Sequence, residues 1–405
     1  MKNKNTLLNA LLGILLGVLS GVAFILAFPP YEIWPLIFIG WVPALVAQHR
    51  VMPAKFSSIP TALAIGIWLE GYMGPVFNPT GSYMVYLPLV AALISLLVDM
   101  GKREFNQKTH YRWFVLEGAL SWAGIEMIRL FIPIAGTWGF IAYPLYRQLW
   151  FIQPTSVFGI IGQGMLLMAV NLVLAQGILF WIDRGKRLDK PSVIPPKTVS
   201  RWANGTALAL ILWTVLSLAL FRPASGEVVR VAAIQPDISP IITGNRGEEA
   251  LLAGLHQDMI DQTREVAEQG AAFIVWPEGS MLFDPQVDDR LGLADLAKET
   301  GSYLAVGYVV NLNDGTFRNE ATVIDPSGAF LGVFGKDHPV IFGGETSPTR
   351  GTYPVYETDI GVLGTIICYD LDYTDTARKL AAQGAQLIGV PSNDWGGIAD
   401  KHYTH

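Results

Sequence analysis

The chain has 405 residues, of which 51% are hydrophobic, and a net charge of −6. That length holds more than one domain, and no basic field is large enough to hold a nucleic-acid backbone. The single cysteine, Cys368, excludes an intrachain disulfide and a cysteine-only metal site.

The averages mix two different halves. From the N-terminus to Phe221 the chain is a series of apolar runs; after Arg222 it turns acidic and mixed in texture. The opening stretch has the basic start and apolar run of a signal peptide. However, the run is long, no small-x-small cleavage site ends it, and more apolar runs follow, so it reads as a first span. Seven segments are candidates to cross roughly 30 Å of hydrocarbon. They are 7–27, 33–48, 59–77, 84–100, 113–133, 157–182 and 202–221, the second interrupted by Pro35 and Pro43. Fourteen of the 16 Lys and Arg residues before Phe221 fall before the first span or in alternate loops: Lys2 and Lys4, Arg50 and Lys55, Lys102 to Arg112, and Arg184 to Arg201. By the positive-inside rule that side is cytoplasmic, and an odd number of spans delivers the chain to the outer face at Phe221. Buried helices of a large soluble protein would not segregate charge in this way.

Glu70, Glu117 and Glu126 lie in or near apolar spans, where an isolated carboxylate is costly. Glu126 and Arg129, three residues apart, can share a helix face and pair, or serve a substrate. The stretch AGTWGFIAYPLYRQLWFIQP is rich in Trp, Tyr and Phe, which suits the headgroup level of a bilayer.

From residue 222 the pattern is that of a layered α/β domain. VVRVAAIQP reads as a buried strand, followed by a helix and then a strand ending at Trp276-Pro277-Glu278. SYLAVGYVVNL, NEATVIDPSGAFLGVFGK and DIGVLGTIICYD are further strands, with DPSG as a hairpin turn, and TDTARKLAAQGAQLIGVPSND is again helix then strand. Units of this kind fold as helices covering sheets, with chemistry at the strand ends. Three residues stand at such ends: Glu278, Lys336 and Cys368. A thiol becomes a strong nucleophile when a carboxylate removes its proton, and an ammonium can stabilise the oxyanion formed when it attacks a carbonyl. Singly, each has a plainer reading: a packed core thiol, a helix-capping Glu, a solvated Lys. Periodicity does not bring the three together.

The ordered motifs VRVAAIQP, IVWPEGS, GKDHPVIFGGE, TIICYD and VPSNDWGG resemble the nitrilase (carbon–nitrogen hydrolase) superfamily. Joined to IEMIRLFIPIAGTWGF and WFIQPTSVFGIIGQGML in the first half, the whole resembles the apolipoprotein N-acyltransferase family, from about Leu12 to the last residue. The resemblance implies a polytopic α-helical membrane bundle over 1–221. It also implies an extracytoplasmic, nitrilase-like αββα sandwich over 222–405, carrying a Glu-Lys-Cys triad and sited at the bacterial inner membrane. Carried over by motif, Glu278 is the general base, Lys336 the oxyanion stabiliser, Cys368 the nucleophile, and Glu345 a supporting carboxylate. The implied reaction takes an acyl chain from a phospholipid onto Cys368 as a thioester. It then passes the chain to the α-amine of a diacylglyceryl apolipoprotein cysteine. The family continues beyond the position matched by His405, so a C-terminally incomplete catalytic domain is expected.

Three details depart from the family's pattern. Cys368-Tyr369-Asp370 stands where the acyltransferases usually read CYE, Gly343-Gly344 inserts a residue before Glu345, and Asp394-Trp395 lacks an intervening alanine. The first is the form common in soluble amidases and favours the alternative of a membrane-anchored carbon–nitrogen hydrolase. A catalytically silent membrane scaffold is the third reading. A transporter would show paired broken helices or matching midplane charges in two halves, and that symmetry is not seen. The six His residues are scattered; no metal and no cofactor is expected.

Overall fold

The structure, a computed structural model, describes residues 2–77, 83–132, 136–186, 193–223, 226–236, 249–340, 344–394 and 396–404. Of the features read from the sequence, Arg187, Lys190, Gly343 and Trp395 lie outside these residues. By packing the chain divides into two units, Met1–Pro223 with Gly396–His405, and Ala224–Trp395.

The first unit is helical: α1 Lys2–Ala27, α2 Ile59–Phe77, α3 Leu87–Val98, α4 Phe114–Arg129, α5 Thr155–Lys186 and α6 Pro196–Leu220. Among the described residues three helical stretches are long and apolar enough to cross a membrane: Thr6–Ala27, Thr155–Gly185 and Pro196–Leu220. Leu7, Leu11 and Leu15 recur at helical spacing on α1, and Ile211, Val215 and Leu218 on α6. All six are more than half exposed. Apolar faces of that size left outside a protein's own core are stable against hydrocarbon, not water. The chain is accordingly a multi-pass membrane protein.

The segment 33–48, read above as a span, is not one helix. It is a 3-10 turn Trp34–Phe38, a short helix Val42–Val46 and a π turn Ala47–Val51. Pro35 and Pro43 each sit in the first turn of a short helix, where the missing N–H costs nothing, and each prevents a longer helix from running through. The candidates at 84–100 and 113–133 form α3 and α4, of 12 and 16 residues. These rise about 18 and 24 Å. The aromatic stretch after α4 packs inward: Phe140, Tyr143, Leu145 and Phe151 are buried in the unit's core with Trp41 and Trp68. Among the described aromatic residues of the stretch, Trp150 alone is exposed, with nearly half its surface outside.

Glu126 is buried, and its Oε1 accepts the backbone N–H of Ile141 at 3.1 Å. Among the described residues no ion pair joins it to Arg129, whose guanidinium lies over the Phe140 ring at 5.1 Å. Glu117 is ion-paired to Lys102 at 3.3 Å, and Glu70 is exposed. The last described residues pack in this unit: Tyr403 donates its hydroxyl to Glu32 at 2.8 Å, and the His402 ring stacks on Trp138.

The second unit has two sheets. The larger runs in the order β1 (Val231–Ala233), β2 (Phe273–Val275), β3 (Tyr303–Asn311), β4 (Phe317–Ile324) and β5 (Phe330–Gly335), with β6 (Glu345–Thr346) also on β4. β1, β2 and β3 are parallel; β3, β4 and β5 are antiparallel. The smaller sheet is β7 (Val355–Thr358), β8 (Gly361–Thr365) and β9 (Leu387–Gly389), with β8 parallel to β9. Helices α7 (Glu249–Glu268) and α8 (Leu293–Thr300) cover one face of the large sheet through Met259, Leu293 and Leu296. Phe273, Ala305, Val323 and Leu363 fill the space between the sheets, and Leu380 of α9 (Thr374–Ala382) packs on Ile366 and Ile367 beyond β8. The order is helix, sheet, sheet, helix: an αββα sandwich.

The β4–β5 turn is built by Asp325, whose Oδ1 accepts the N–H of Ser327 at 2.8 Å and of Ala329 at 2.9 Å. β1 differs from its expectation. It is three residues long and Val231 is half exposed, because it pairs with β2 on one side only among the described strands.

Candidate active site

Four polar residues lie at or just beyond the ends of four strands of the sandwich. Glu278 follows β2 and is held there from both sides. Buried Trp276 donates its indole N–H to Thr263 of α7 at 2.9 Å, and Ser280 donates its hydroxyl to the Gly307 carbonyl at 2.8 Å. Gly307 has to be glycine for this: a Cβ on it would stand 2.8 Å from the Pro277 carbonyl and 2.9 Å from the Glu278 Cα. Lys336 is the residue after β5, with its backbone N–H donated to the Asn319 carbonyl at 3.0 Å. Glu345 opens β6.

Lys336 is buried, at 1% exposure, so the solvated-lysine reading does not hold. Its Nζ donates to Glu278 Oε1 at 2.8 Å and to Glu345 Oε1 at 3.1 Å. Asn319, from β4, donates its amide to the same two oxygens at 2.7 and 3.0 Å. The second oxygen of Glu345 accepts the Val340 N–H at 2.6 Å. Burial lowers the Lys336 pKa, but the charges of Glu278 and Glu345 on either side outweigh it and raise it, so the ammonium keeps its proton. Ammonium has three donors, and two of them are engaged here.

Cys368 opens the 3-10 turn Cys368–Asp372 three residues beyond β8, with φ at 44°. A non-glycine residue in the left-handed region is strained, and such strain collects at functional positions. Its N–H is donated to the Pro391 carbonyl at 2.9 Å, which anchors the turn to the segment after β9. Burial is the main cause raising the thiol pKa well above its ordinary value. The negative charge of Glu278 adds to this, Lys336 opposes it, and Asp394 reinforces it. The thiol donates to Asp394 Oδ1 at 3.9 Å. The resting thiol is therefore protonated at neutral pH, and it becomes a nucleophile when a base takes that proton.

The structure thus brings Glu278, Lys336 and Glu345 into one hydrogen-bonded group and sets Cys368 within the field of Glu278 and Lys336. Sequence reasoning did not reach Asn319, whose only signal is a polar pair, Asn319-Glu320, inside a strand otherwise written to be buried. It also gave Asp370 and Asp394 no role. Asp370 is fully buried and accepts the N–H of Ile367 at 3.1 Å and of His338 at 2.7 Å. Beyond Glu345 a cavity of about 540 Å³ is bordered by Pro339, Thr346, Ser347, Pro348 and Arg350. The cluster Asp337, His338 and Asp375 has the residue types of a metal site, but Lys379 lies 2.8 Å from Asp375 and 3.8 Å from Asp337 and already supplies the positive charge.

Residues 230–402 match the sequence profile of the carbon–nitrogen hydrolases, and residues 20–173 match that of the apolipoprotein N-acyltransferase N-terminal domain. The chain is 26% identical to the apolipoprotein N-acyltransferase of Geobacter metallireducens, over 94% of this chain and 77% of that protein. It is 23% identical to the one from Rhodopseudomonas palustris, over 94% and 78%. The nitrilase of Pyrococcus abyssi is 30% identical over 32% of this chain and 55% of its own length.

Proposed function

We propose, for a chain that belongs to the apolipoprotein N-acyltransferase family and joins a membrane unit to a nitrilase-superfamily domain, that it transfers an acyl chain from a phospholipid to the α-amine of a diacylglyceryl apolipoprotein. The reading is carried by one observation: a buried ammonium, Lys336, bridges Glu278 and Glu345 in reach of the field of a protonated thiol, in a chain anchored in the bilayer.

In this mechanism Glu278 takes the proton of Cys368. Lys336 and Asn319 both occupy Oε1 of Glu278, which leaves Oε2 for the thiol. The thiolate attacks the ester carbonyl of the phospholipid, and the third N–H of Lys336 meets the oxyanion that forms. Collapse breaks the carbon–oxygen bond, Glu278 returns the proton to the leaving alcohol, and the acyl chain remains on Cys368 as a thioester. The amine of the apolipoprotein attacks that thioester, forming the amide and restoring the thiol. Glu345 holds Lys336 and Asn319 in register. The domain lies on the extracytoplasmic side, where the basic loops of the membrane unit put Phe221.

The test is the intermediate. The chain in phospholipid without acceptor should gain the mass of one acyl chain on Cys368, and a diacylated lipopeptide should discharge it as an amide. A transferase must exclude water from the thioester until the amine arrives, so the adduct should persist. If phospholipid leaves Cys368 unmodified while short carboxamides are cleaved, the enzyme is an amidase.

A further inference from the structure

We propose that Asp394 receives the α-ammonium of the acyl acceptor beside the Cys368 thioester and takes its first proton. The inference rests on the acyl-transfer reading and adds the residue that distinguishes an amine from water at the second step.

Strands β8 and β9 run parallel, with Thr365 opposite Gly389, and the chain leaves both at the same end. The Cys368 N–H on the Pro391 carbonyl, at 2.9 Å, holds the two exits together. Asp394, three residues past that anchor, accepts the Cys368 thiol hydrogen on Oδ1 at 3.9 Å and the Ser392 hydroxyl on Oδ2 at 3.3 Å. A carboxylate thus stands against the reacting sulfur, while Glu278 Oε1 is engaged by Lys336 and Asn319.

Acylation removes the hydrogen that Asp394 Oδ1 accepts, because the sulfur now carries an acyl carbon. The next atom to arrive at that carbon is the acceptor nitrogen, and it must approach within reach of Oδ1. An α-amine has a pKa of about 7.7–8.0 and reaches the site mostly as an ammonium near pH 7. A cation entering a partly buried site needs an opposite charge, and only the deprotonated amine can attack. Water needs neither.

The step balances. Asp394 takes one proton from the ammonium, and the lone pair so released forms the nitrogen–carbon bond. The carbon–sulfur bond breaks, and its electrons stay on sulfur. Glu278 takes the second nitrogen proton and returns it to Sγ, and Asp394 releases its proton to solvent. Asp394 stands 3.9 Å from the reacting sulfur and takes a proton from the attacking amine, and is in that sense catalytic.

The experiment uses the full chain in phospholipid vesicles. The Cys368 adduct is formed first, then discharged with a diacylated lipopeptide at pH 6 to 9 and followed by intact-protein mass spectrometry. Asp394→Asn should still form the adduct, but discharge it about 100-fold more slowly at pH 7. Its discharge should rise with pH through the pKa of the amine. Hydroxylamine, a neutral nucleophile, should discharge variant and wild type alike, and Asp394→Glu should recover part of the rate.

The wild-type chain gives a reading that needs no variant. Its discharge by the lipopeptide should stay nearly level from pH 6 to 8, while the free amine rises by roughly tenfold or more. Wild-type discharge that tracks the free amine, or an Asp394→Asn rate equal to wild type, overturns the assignment. So does an Asp394→Asn chain that folds but never acquires the adduct, since Asp394 would then serve the thiol. Absence of the adduct from the wild-type chain defeats the acyl-transfer reading itself and this inference with it.

Discussion

The carboxylate of Asp370 accepts the backbone N–H of His338 at 2.7 Å and faces its Nδ1 at 3.2 Å. Asp370 lies two residues past Cys368 and His338 two residues past Lys336, so one buried side chain fixes the turns that present the thiol and the ammonium. The same carboxylate accepts the N–H of Ile367 and of Asp337, at 3.1 and 3.3 Å. The His338 ring is stacked on Tyr373 at 3.7 Å, which closes the other side of the joint.

Asp370→Asn should therefore damage geometry before chemistry. It replaces one accepting oxygen with an NH₂ that faces backbone donors. Each buried donor left unsatisfied costs about 1–3 kcal/mol. Thermal inactivation should come at a lower temperature, and adduct formation on Cys368 should slow even though the thiol, Glu278 and Lys336 are intact. Wild-type stability and adduct formation in this variant would show that the joint is not needed.

Lys336→Met separates charge from volume. Two carboxylates, Glu278 and Glu345, lose the ammonium between them, and breaking a buried pair in this way costs on the order of 3–5 kcal/mol. Glu345→Gln in the same chain should return part of that stability by removing one of the unpaired charges. Activity should not return: loss of one oxyanion contact is worth about 100-fold or more in turnover. Lipid binding should change far less than turnover. Recovery of activity in the double variant would remove Lys336 from the oxyanion role.

How far the sequence carried the site follows from what one-dimensional patterns encode. Glu278, Lys336 and Cys368 were legible because each ends an apolar run at a strand terminus. Their meeting was not, since it depends on β4 lying between β3 and β5 and lending Asn319 to two carboxylates. The solvated reading of Lys336 failed because a strand end in a two-sheet sandwich is inside. In the membrane unit, hydropathy alone marked 33–48 as a span, while the backbone obeyed Pro35 and Pro43. The three-residue spacing of Glu126 and Arg129 allowed a pair, but Glu126 Oε1 is engaged by the Ile141 N–H.

Thiol chemistry offers a prediction in which two readouts move in opposite directions. Burial and the Glu278 charge push the Cys368 thiol up, so its alkylation by iodoacetamide at pH 7 should be slower than that of an unperturbed thiol near pKa 8.5. Alkylation should climb only at higher pH. Glu278→Gln removes a negative charge that disfavours the thiolate and leaves Lys336 in place, so alkylation at pH 7 should rise several-fold. Acyl transfer should nonetheless fall, because the base is gone. If alkylation and transfer fall together, Glu278 acts by holding the fold and not by taking the proton.

Orientation is testable without any enzymology. Lys2 and Lys4 lie at the start of the long helix α1, ahead of its apolar stretch Thr6–Ala27, and the basic run from Arg184 to Arg201 lies between and at the facing ends of α5 and α6, the other two long helices. If that run stays in the cytoplasm, α6 carries the chain across the bilayer between Pro196 and Leu220 and emerges on the outer side at Phe221. Reporter fusions at Gly185 and Gly226 flank α6, so they should report opposite compartments, with Gly226 active for an enzyme that works only outside the cytoplasm. Shifting the balance should shift the result: replacing Lys197 and Arg201 with Gln removes positive charge at the entry of α6, and a fraction of the Gly226 fusions should then be retained inside. A cytoplasmic Gly226 fusion in the unaltered chain would place Cys368 on the side opposite to the one proposed here. That result would exclude transfer to an acceptor presented outside the cytoplasm.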